Sequence, residues 1–403
     1  MNKKRKRRLS YLPIYILTFV LTTSVAFLST YNDSKDVANL TSPPSETEEA
    51  TTAQPRQEIL RASFLAVGDN LIHSKLYEQA KERAGGSGYD FKYLYQNVAE
   101  DIKNADIASI NQETIIAPSK PPSTYPLFNS PPELGKEVVR LGFDIINIAN
   151  NHMLDKGSSG LKEAIEFWRS QDGVKMTGAY LNESEMYVPE TITRNGIVFG
   201  IVGITDTTNG LSLPANSELR YFSAAETDKI RRKIELTKEA CDVVVVNIHW
   251  GNEYSTKPSE NQKFLAKKLI EWGADIVIGH HPHVLQPIEL IRKIDGGTAV
   301  VAYSLGNFVS MQNTGPTLIG GMLRFNVIVD KSSKYVTVED VKLEPLVMHH
   351  KKSYLNGRLY KLSQYNDSLA RESTATIKTP AFSMDYIKKH VKGIISEEFL
   401  DIS

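Results

Sequence analysis

Beyond residue 58 the chain alternates between short apolar runs and longer segments in which apolar residues recur at helical spacing. Each run has the length of a strand and is rich in apolar, often β-branched, residues, which is typical of buried strands. Alternation of such runs with amphipathic segments predicts an α/β (or α+β) domain. The runs occupy residues 63–67, 107–110, 145–149, 197–204, 243–248, 276–278 and 298–302.

Helical segments separate several of these runs. One helix is predicted to begin at a capping box formed by Ser259 and Gln262, and to end at Gly273. Helical spacing also relates two further sets of apolar residues, which are Phe91, Leu94, Val98 and Ile102, and Leu161, Ala164, Ile165 and Trp168.

Polar side chains follow nearly every apolar run. They are carboxylates, imidazoles and carboxamides, all of which can bind ligands through oxygen or nitrogen. Because ligands of open α/β sheets bind outside the carboxyl ends of the strands, we expect these side chains to meet in one crevice. In chain order they are Asp69, His73, Glu113, Asn151, His152, Asp206, His249, His280, His281, His283 and Asn307.

The composition of this set predicts a divalent metal site. Six of the nine histidines lie at or just beyond predicted strand ends, and imidazoles with carboxylates but no thiolates suit Zn, Mn or Fe. A single strand-end histidine is more often a hydrogen-bonding residue than a ligand, so the prediction depends on convergence. In the segment GHHPH, Pro282 is expected to hold its neighbour extended, so that His281 and His283 reach out as two ligands. Such a site suits metal-assisted hydrolysis, with a spare histidine as general acid.

The N-terminal region predicts a membrane location. Residues 1–8 carry six basic side chains, and the following 22 residues, 9–30, carry no charge, which is long enough to cross a bilayer. The positive-inside rule places the basic end in the cytoplasm and the main domain outside the cell, as a single-pass protein of the cytoplasmic membrane. The alternative is a signal peptide cleaved near Ala26. Residues 31–58 are polar and predict a disordered tether.

Charge and cysteine content narrow the class of protein. Six of the 47 basic residues lie in the first eight positions, so the remaining chain has 41 basic and 47 acidic residues, a net charge of −6. A mildly acidic chain argues against a protein that binds nucleic acid by neutralising phosphates. The single cysteine, Cys241, is compatible with an exported chain that has no disulfides.

The remaining chain is divided into a main domain over residues 59–348 and a C-terminal tail over residues 349–403. The tail is predicted to be partly helical, and the pair His349 and His350 at its start is expected to be solvated.

Several motifs, and their order along the chain, resemble those of the CapA-type family of poly-γ-glutamate capsule biosynthesis proteins. The resemblance covers about residues 60–310. The resemblance implies a fold like that of the metallo-dependent phosphatases, a four-layer sandwich of two β-sheets flanked by helices. The first motif here is Gly-Asp-Asn-Leu-Ile-His rather than the Asp-x-His of metallophosphoesterases, which leaves the number of metal ions open. The motifs are Ala66–Asp69, Asn111–Glu113, Phe143–His152 with Asp155 and Gly157, His249–Tyr254, Gly279–Glu289 and Tyr303–Phe308.

The resemblance also implies roles for individual residues. His152 is expected to polarise a bound anion, and His152 and Asp69 are the candidate catalytic residues. The candidate substrate-binding residues are His73, Glu253, His280 and Asn307. The candidate metal ligands are Asp69, Glu113, Asn151, His249, His281 and His283.

Three functional hypotheses follow. The first is a membrane-anchored, extracytoplasmic component of the poly-γ-glutamate synthesis or export machinery, working with other membrane proteins on the anionic polymer. The alternative is a cell-surface metallohydrolase that acts on a phosphoester or an amide. A third hypothesis is that a metal ion serves the structure alone, and whether the protein is an enzyme stays open at this point.

Overall fold

The computed structural model describes residues 58–402. Within this range, the seven predicted apolar runs all form strands, as the sequence pattern predicted, and eight further strands accompany them. The strands are β1 (Ile59–Asn70), β2 (Ile107–Asn111), β3 (Ile145–Asn147), β4 (Lys175–Thr177), β5 (Glu190–Arg194), β6 (Ile197–Thr205), β7 (Phe222–Ser223), β8 (Val243–His249), β9 (Ile276–His280), β10 (Ile288–Arg292), β11 (Thr298–Ala302), β12 (Asn307–Val309), β13 (Ile319–Asp330), β14 (Tyr335–His349) and β15 (Arg358–Lys361).

Helices connect most of the parallel strands. No helix within residues 58–402 is long and apolar enough to cross a membrane. The predicted basic segment 1–8, the predicted anchor 9–30 and all but the last residue of the predicted tether lie outside the described residues. The α-helices are α1 (Ser74–Arg83), α2 (Lys92–Tyr95), α3 (Ala99–Lys103), α4 (Pro132–Leu141), α5 (Gly157–Arg169), α6 (Glu183–Met186), α7 (Thr227–Ala240), α8 (Glu260–Glu271), α9 (Asp367–Glu372), α10 (Ala375–Lys378) and α11 (Met384–Lys392).

The helical spacing around residues 91–102 corresponds to two short helices, α2 and α3, rather than one. The turn between them contains Asn97, whose amide donates to the carbonyl oxygen of Leu359 at 2.8 Å. The carboxamide of Asn97 also accepts from the guanidinium of Arg358 at 2.7 Å. These two contacts with β15 hold the turn against the sheet, and the apolar positions of both helices remain buried.

Hydrogen bonds link the strands in the order β4-β3-β2-β1-β13-β14-β11-β9-β8-β6-β5, with β7, β10, β12 and β15 paired at the sides. The resemblance implied two separate sheets, whereas here β11 and β14 join the halves through one register pair, Thr298 with Thr337. The halves face each other, since the rings of Phe64 and Phe199 lie 6.3 Å apart. The fold is therefore a mixed α/β fold whose single hydrogen-bonded sheet is folded over on itself.

Side-chain alternation in β8 explains how the second half is covered. Val243 and Val245 pack in the core between the two halves, together with residues of β1 and β13. Val244 and Val246 point the other way and pack against α7 and α8. Because both faces are buried, the strand is a continuous apolar run rather than an alternating one.

The C-terminal region is folded, and its two first histidines are not solvated as expected. Strand β14 extends to His349, so the predicted boundary between residues 348 and 349 falls inside it. His349 and His350 were expected to be solvated, but both are buried. The His349 ring bonds to the hydroxyl of Tyr365 and the His350 ring to that of Thr374. The expectation was wrong because β15 and α9–α10 cover the end of β14.

Candidate metal centre

The parallel strands β1, β2, β3, β8 and β9 end at the same edge of the folded sheet, and most of the predicted polar residues lie there. Asp69, near the end of β1, is in register with Asn111 of β2 and with Asn307 of β12. His249 ends β8 opposite His280, which ends β9. The strand ends therefore bring together side chains that are more than 200 positions apart in the sequence.

Glu113 lies at the middle of the cluster. One of its carboxylate oxygens, Oε1, is 3.7 Å from His249 Nε2 and 3.8 Å from His283 Nε2. On the far side of the His283 ring, Nδ1 is 3.2 Å from Asp69 Oδ2. Three sets of ligand atoms lie within 4.8 Å of one another, and each could surround an ion: Glu113, His249 and His281; Asp69, Glu113 and His283; and Glu253, His281 and His283.

The carboxylate of Glu113 has no hydrogen-bond partner. It is completely buried, and neither oxygen accepts a hydrogen bond from any described residue. Burial, together with the nearby charge of Asp69, raises the pKa of Glu113 well above its ordinary value. A buried carboxylate without donors is costly, and a cation at this position would remove that cost. The donor set, imidazole nitrogens and carboxylate oxygens, therefore fits a divalent metal ion.

Charges within the cluster affect its acids and bases in opposite directions. Burial alone would raise the pKa of Asp69, but its contacts with His280 and His283 hold that pKa well below the ordinary range. Burial opposes protonation of His283, yet Glu113 and Asp69 outweigh it and raise the pKa of His283 to about 9. Burial, reinforced by the charge of His283, lowers the pKa of His281 to about 4. The cluster thus favours a positive charge on His283 and a negative charge on Asp69, while it keeps His281 neutral.

The GHHPH loop does not have the expected geometry. Pro282 was predicted to keep His281 extended, but His281 has a φ of 98° and His283 a φ of 58°. Both values lie in a backbone region that residues other than glycine rarely adopt. Two hydrogen bonds hold the loop there: the His281 backbone N–H donates to Asp69 Oδ2 at 3.2 Å, and the Tyr254 N–H donates to the Pro282 carbonyl at 2.7 Å.

His152 lies beside the cluster and is held by an acid that the sequence reasoning gave no role. Asp155 Oδ2 is 2.8 Å from His152 Nδ1, and the same oxygen accepts from the Phe128 backbone N–H at 2.7 Å. The Phe128 ring packs edge-on against the His152 ring, with centroids 4.7 Å apart. Asp155 therefore fixes the orientation of His152 and leaves the second ring nitrogen, Nε2, unused by this contact.

The other predicted residues occupy different positions around the cluster. Asn151 Oδ1 lies 3.1 Å from His249 Nε2, and Asn307 Oδ1 lies 3.0 Å from His283 Nδ1. His280 is directed to Asp69 and to Asn247, whereas Glu253 is exposed at the outer edge.

His73 does not join the sets of metal-ligand atoms. Its Nδ1 lies 3.1 Å from the Leu71 carbonyl oxygen and 3.3 Å from the Met311 backbone nitrogen, and its ring lies edge-on to Phe128. Asp206 is likewise absent from the three ligand sets found within residues 58–402.

Carboxamides at the strand ends support the cluster, although the sequence assigned no role to Asn111, Asn147 or Asn150. Asn111 Nδ2 donates to Asp69 Oδ1 at 2.8 Å, and the side-chain amides of Asn147 and Asn150 in turn donate to Asn111 Oδ1 at 3.0 and 3.4 Å. The available signal was the position of Asn111, which directly follows the apolar run 107–110 and stands two residues before Glu113. Carboxamides at neighbouring strand ends can bond to each other, and that pattern would have indicated the network.

The fold and the cluster together define an α/β protein with a buried histidine and carboxylate centre at its strand ends. The family Bacterial capsule synthesis protein PGA_cap matches residues 63–312, which include every residue of the cluster. The chain is 30% identical over 288 residues to "Capsule biosynthesis protein CapA" of Bacillus anthracis, covering 69% of this chain and 67% of that protein. It is also 30% identical over 292 residues to "PGA biosynthesis protein CapA" of Bacillus subtilis (strain 168), covering 70% and 72%. The chain therefore belongs to the bacterial capsule synthesis family, as its motifs predicted.

Solved structures with some likeness include a phosphatase from Mycoplasma pneumoniae, with 14% identity, a TM-score of 0.43 and coverage of 72% of this chain and 95% of that one. A 5′-nucleotidase from Staphylococcus aureus has 14% identity, a TM-score of 0.42 and coverage of 70% and 54%.

Proposed function

We propose that the protein is a membrane-anchored, extracytoplasmic component of a poly-γ-glutamate synthesis or export machinery, and that it holds a divalent metal ion at the buried cluster. Family membership and the names of the two Bacillus relatives support the capsule role. The uncharged segment 9–30 after six basic residues supports the anchor. Other membrane proteins of the machinery would be its partners.

One observation carries the metal proposal: the Glu113 carboxylate is buried without a hydrogen-bond donor and faces two histidine rings within 4 Å. Asp69, Glu113, His249, His281 and His283 would hold the ion, with Asn151 as a further oxygen ligand. When bound, a Zn, Mn or Fe ion supplies an activated water and charge stabilisation for an oxygen of the substrate.

The residues of the chain supply the remaining chemistry. His152, oriented by Asp155, is placed to hold or donate a proton at Nε2. Asn307 and Asn111 orient His283 and Asp69 through the contacts described above, as outer residues of metal centres commonly do. Glu253, which is exposed at the outer edge of the cluster, would contact the substrate.

Elemental analysis of the purified full chain tests the metal site. We expect at least one divalent ion per chain in the unsubstituted protein and loss of that ion in Glu113→Gln and His283→Ala. Glu339→Gln is the matched control, because Glu339 is exposed and pairs with Arg61 far from the cluster. A metal-free unsubstituted protein would overturn the metal proposal.

The capsule role is tested in cells that lack their own copy of the gene. We expect the unsubstituted chain to restore polymer production and Glu113→Gln to fail at equal protein level. Normal polymer output with Glu113→Gln would show that the cluster is not needed for that role.

The location is tested separately, by fractionation and by adding protease to intact protoplasts. We expect the chain to sediment with membranes and its main domain to be digested from outside. A protected, cytosolic protein would contradict the proposed location.

A second candidate function is a metallohydrolase that cleaves a phosphoester or an amide at the cell surface. The pairing of His152 with Asp155 next to the cluster favours it, since a scaffold has no need of an oriented imidazole there. Turnover of model phosphoesters by metal-loaded protein, abolished by His152→Ala with metal content unchanged, would support this candidate. If no turnover is seen although His152→Ala stops polymer output, the capsule proposal is favoured.

A further inference from the structure

The parallel strands begin at the edge of the folded sheet that lies opposite the metal centre. Strand β1 starts there at Ile59 and reaches Asp69 ten residues later. For a strand of this length the two edges are about 33 Å apart. Two hairpin turns belong to the same edge, residues 331–334 between β13 and β14 and residues 293–297 between β10 and β11.

Three large apolar side chains form an exposed row along this edge. Ile59 is 57% exposed, Tyr335 is 36% exposed, and Ile294 in the turn after β10 is completely exposed. Asp330 of β13 is in register with Ile59 of β1 on one side and with Tyr335 of β14 on the other. The Tyr335 hydroxyl donates to the Gly296 carbonyl oxygen at 2.8 Å, which holds the turn that carries Ile294. We call these three side chains the apolar row.

The aspartates that precede the strands at this edge are already occupied. Each of the four accepts a backbone N–H of the neighbouring strand: Asp106 from Ser63, Asp144 from Ala108, Asp242 from Val198 and Asp275 from Val244. Three of them also pair with basic side chains at 2.6–2.7 Å, which are Arg194, Lys331 and Lys293. Their charges are balanced within the domain, so they add little repulsion to a surface that meets the apolar row.

The chain enters the domain at the same edge. The Glu58 carbonyl oxygen, one residue before Ile59, accepts from the Lys331 backbone N–H at 3.0 Å. Residues 31–58 are the predicted tether, and residues 9–30 are the predicted anchor. An anchor at the far end of that tether keeps the bilayer within reach of the apolar row. A tethered surface acts at an effective concentration in about the millimolar range, so weak contacts suffice.

We propose that the apolar row rests on the surface of the membrane, so that the domain stands with its metal centre facing away from the lipid. The proposal rests on the membrane anchor of the proposed function. Aliphatic side chains and a tyrosine suit the boundary between headgroups and acyl chains, where such residues are buried by about 5–10 Å. A second copy of the chain fits less well, because three side chains expose much less area than the about 800 Å² per partner of a stable protein interface.

This orientation limits what the metal centre can reach. With the apolar row on the membrane and β1 perpendicular to it, Asp69 stands about 33 Å above the lipid surface. A substrate held in the same membrane by a lipid tail would not reach that height. The centre would therefore act on chains or small molecules that are outside the membrane.

A fluorescent reporter on the full chain tests the inference. Cys241→Ser removes the only thiol, and Ser333→Cys then carries an environment-sensitive label in the exposed turn between β13 and β14. The protein is placed in vesicles of phosphatidylcholine and phosphatidylglycerol, with and without a lipid that carries a quencher at the headgroup. We expect the quencher to remove at least about half of the fluorescence, because the turn lies at the depth of the headgroups.

A second reporter position controls for the location of the label. Tyr125→Cys in the same Cys241→Ser background places the label in the loop after β2, where Tyr125 is 72% exposed. This loop lies at the edge of the metal centre, since the Tyr125 ring is 6.4 Å from the Phe128 ring that packs on His152. The label there should keep its fluorescence when the quencher is present.

A pair of substitutions tests the apolar row itself. Ile59→Gln with Ile294→Gln should reduce the quenching of the Ser333→Cys label at least about twofold, because the apolar contacts with the membrane are lost. The matched control is Val188→Gln with Ile377→Gln, which changes side chains that are 59% and 54% exposed on other elements and should leave the quenching unchanged. Thermal unfolding of both variants checks that their fold is retained.

Each other outcome overturns the inference. If the chain floats with the vesicles but the two reporters are quenched equally, or neither is quenched, the domain has no fixed face towards the membrane, while the proposed location stands. If both substitution pairs leave the quenching unchanged, the apolar row is not the contact. If the label responds to protein concentration and not to the quencher, the row contacts a second copy of the chain. If the chain does not float with the vesicles, the anchor and the membrane contact are both wrong, while metal content still tests the metal proposal.

Discussion

The fold buries Glu113 and gives neither of its oxygens a hydrogen-bond donor. A buried polar group without a partner costs about 1–3 kcal/mol, and a charged one more. Asn111, Asn147 and Asn150 satisfy one another a few ångströms away, so the region does not lack donors in general. The energetic cost falls on one carboxylate alone, that of Glu113, which is expected of a site that binds a cation.

Replacement Glu113→Gln should therefore have opposite effects on metal-free and metal-loaded protein. Removing the negative charge relieves the cost in the metal-free state, and we expect its free energy of unfolding to rise by about 1–3 kcal/mol. Addition of metal should stabilise the unsubstituted protein but not the variant. Thermal unfolding with chelator and with added Mn or Zn measures both effects. A variant that is less stable than the unsubstituted protein in chelator would contradict this account.

At the scale of single residues, the sequence predicted which side chains meet but not how each is held. Asp69, Glu113, His249 and His283 all follow apolar runs, and their convergence follows from strand topology. The positive φ of His281 and His283 depends on distant partners, Asp69 and Tyr254, which no local pattern reveals.

At the scale of elements, continuous apolar runs predicted the buried parallel strands well, while β13 and β14 escaped notice. These two long antiparallel strands pair with each other over most of their length. In β14 the buried residues Val336, Val338, Val341 and Leu343 alternate with polar ones and shift register once, and this pattern is weaker than a continuous run. Strands that face solvent on one side are thus the ones that a search for apolar runs misses.

The capping box of α8 fixes the start of that helix, and its loss should cost stability. The Ser259 hydroxyl accepts from the Gln262 N–H at 3.2 Å, and Gln262 Oε1 accepts from the Ser259 N–H at 3.0 Å. Ser259→Ala should lower the free energy of unfolding by about 1 kcal/mol. Gln262→Ala should cost about 2–3 kcal/mol, since it also leaves Gln286 without the donor that lies 2.9 Å away.

Urea unfolding measures both changes. Lys263→Ala is the matched control, because it alters an exposed side chain of the same turn and should change stability by less than about 0.5 kcal/mol. Equal losses in all three variants would show that the cap has no particular role.

The half-buried carboxyl of Glu190 in β5, which lies near Lys233 of α7, should make stability depend on pH. Glu190 accepts from Thr177 at 2.9 Å, and burial, only partly offset by Lys233, raises its pKa from the ordinary 4.5 to about 7. The folded state holds this proton more tightly than the unfolded state. The contribution of this proton to the free energy of unfolding, about 3 kcal/mol, is therefore full below pH 4.5 and is lost as the pH rises to 7.

Glu190→Gln should remove that part of the pH dependence. We expect urea unfolding at pH 5, 6, 7 and 8 to show a smaller decline for the variant than for the unsubstituted protein. Glu185→Gln is the control, because Arg169 lowers the pKa of Glu185 and its titration lies below this window. The same decline in all three proteins would rule out Glu190 as the source.

At the scale of the whole molecule, the C-terminal segment reaches the centre through a line of hydrogen bonds. His350 Nε2 lies 3.3 Å from the Gln312 carbonyl oxygen, and Thr374 lies 2.6 Å from the other ring nitrogen. Gln312 Oε1 accepts from Asn307 Nδ2 at 2.9 Å, and Asn307 Oδ1 contacts His283. Residues beyond the family match thereby help to orient a candidate metal ligand.

This connection predicts that a substitution far from the ion weakens metal binding. Burial lowers the pKa of His350 to about 4, so its ring is neutral at pH 7 and can donate one hydrogen bond to Gln312 while accepting one from Thr374. His350→Phe removes both bonds, frees Gln312 and loosens Asn307. Because outer residues of this kind commonly contribute a factor of 10–100, we expect metal affinity to fall at least about tenfold.

The neighbouring residue provides a matched control, since His349 is equally buried but bonds only to Tyr365, away from the centre. His349→Phe should reduce thermal stability about as much as His350→Phe and leave metal affinity unchanged in a chelator competition assay. Equal metal affinity in the two variants would mean that the C-terminal segment only packs against the domain. A loss of metal affinity in His350→Phe alone would instead show that the C-terminal segment is part of the metal centre. The burial of His350 would then serve metal binding and not packing alone.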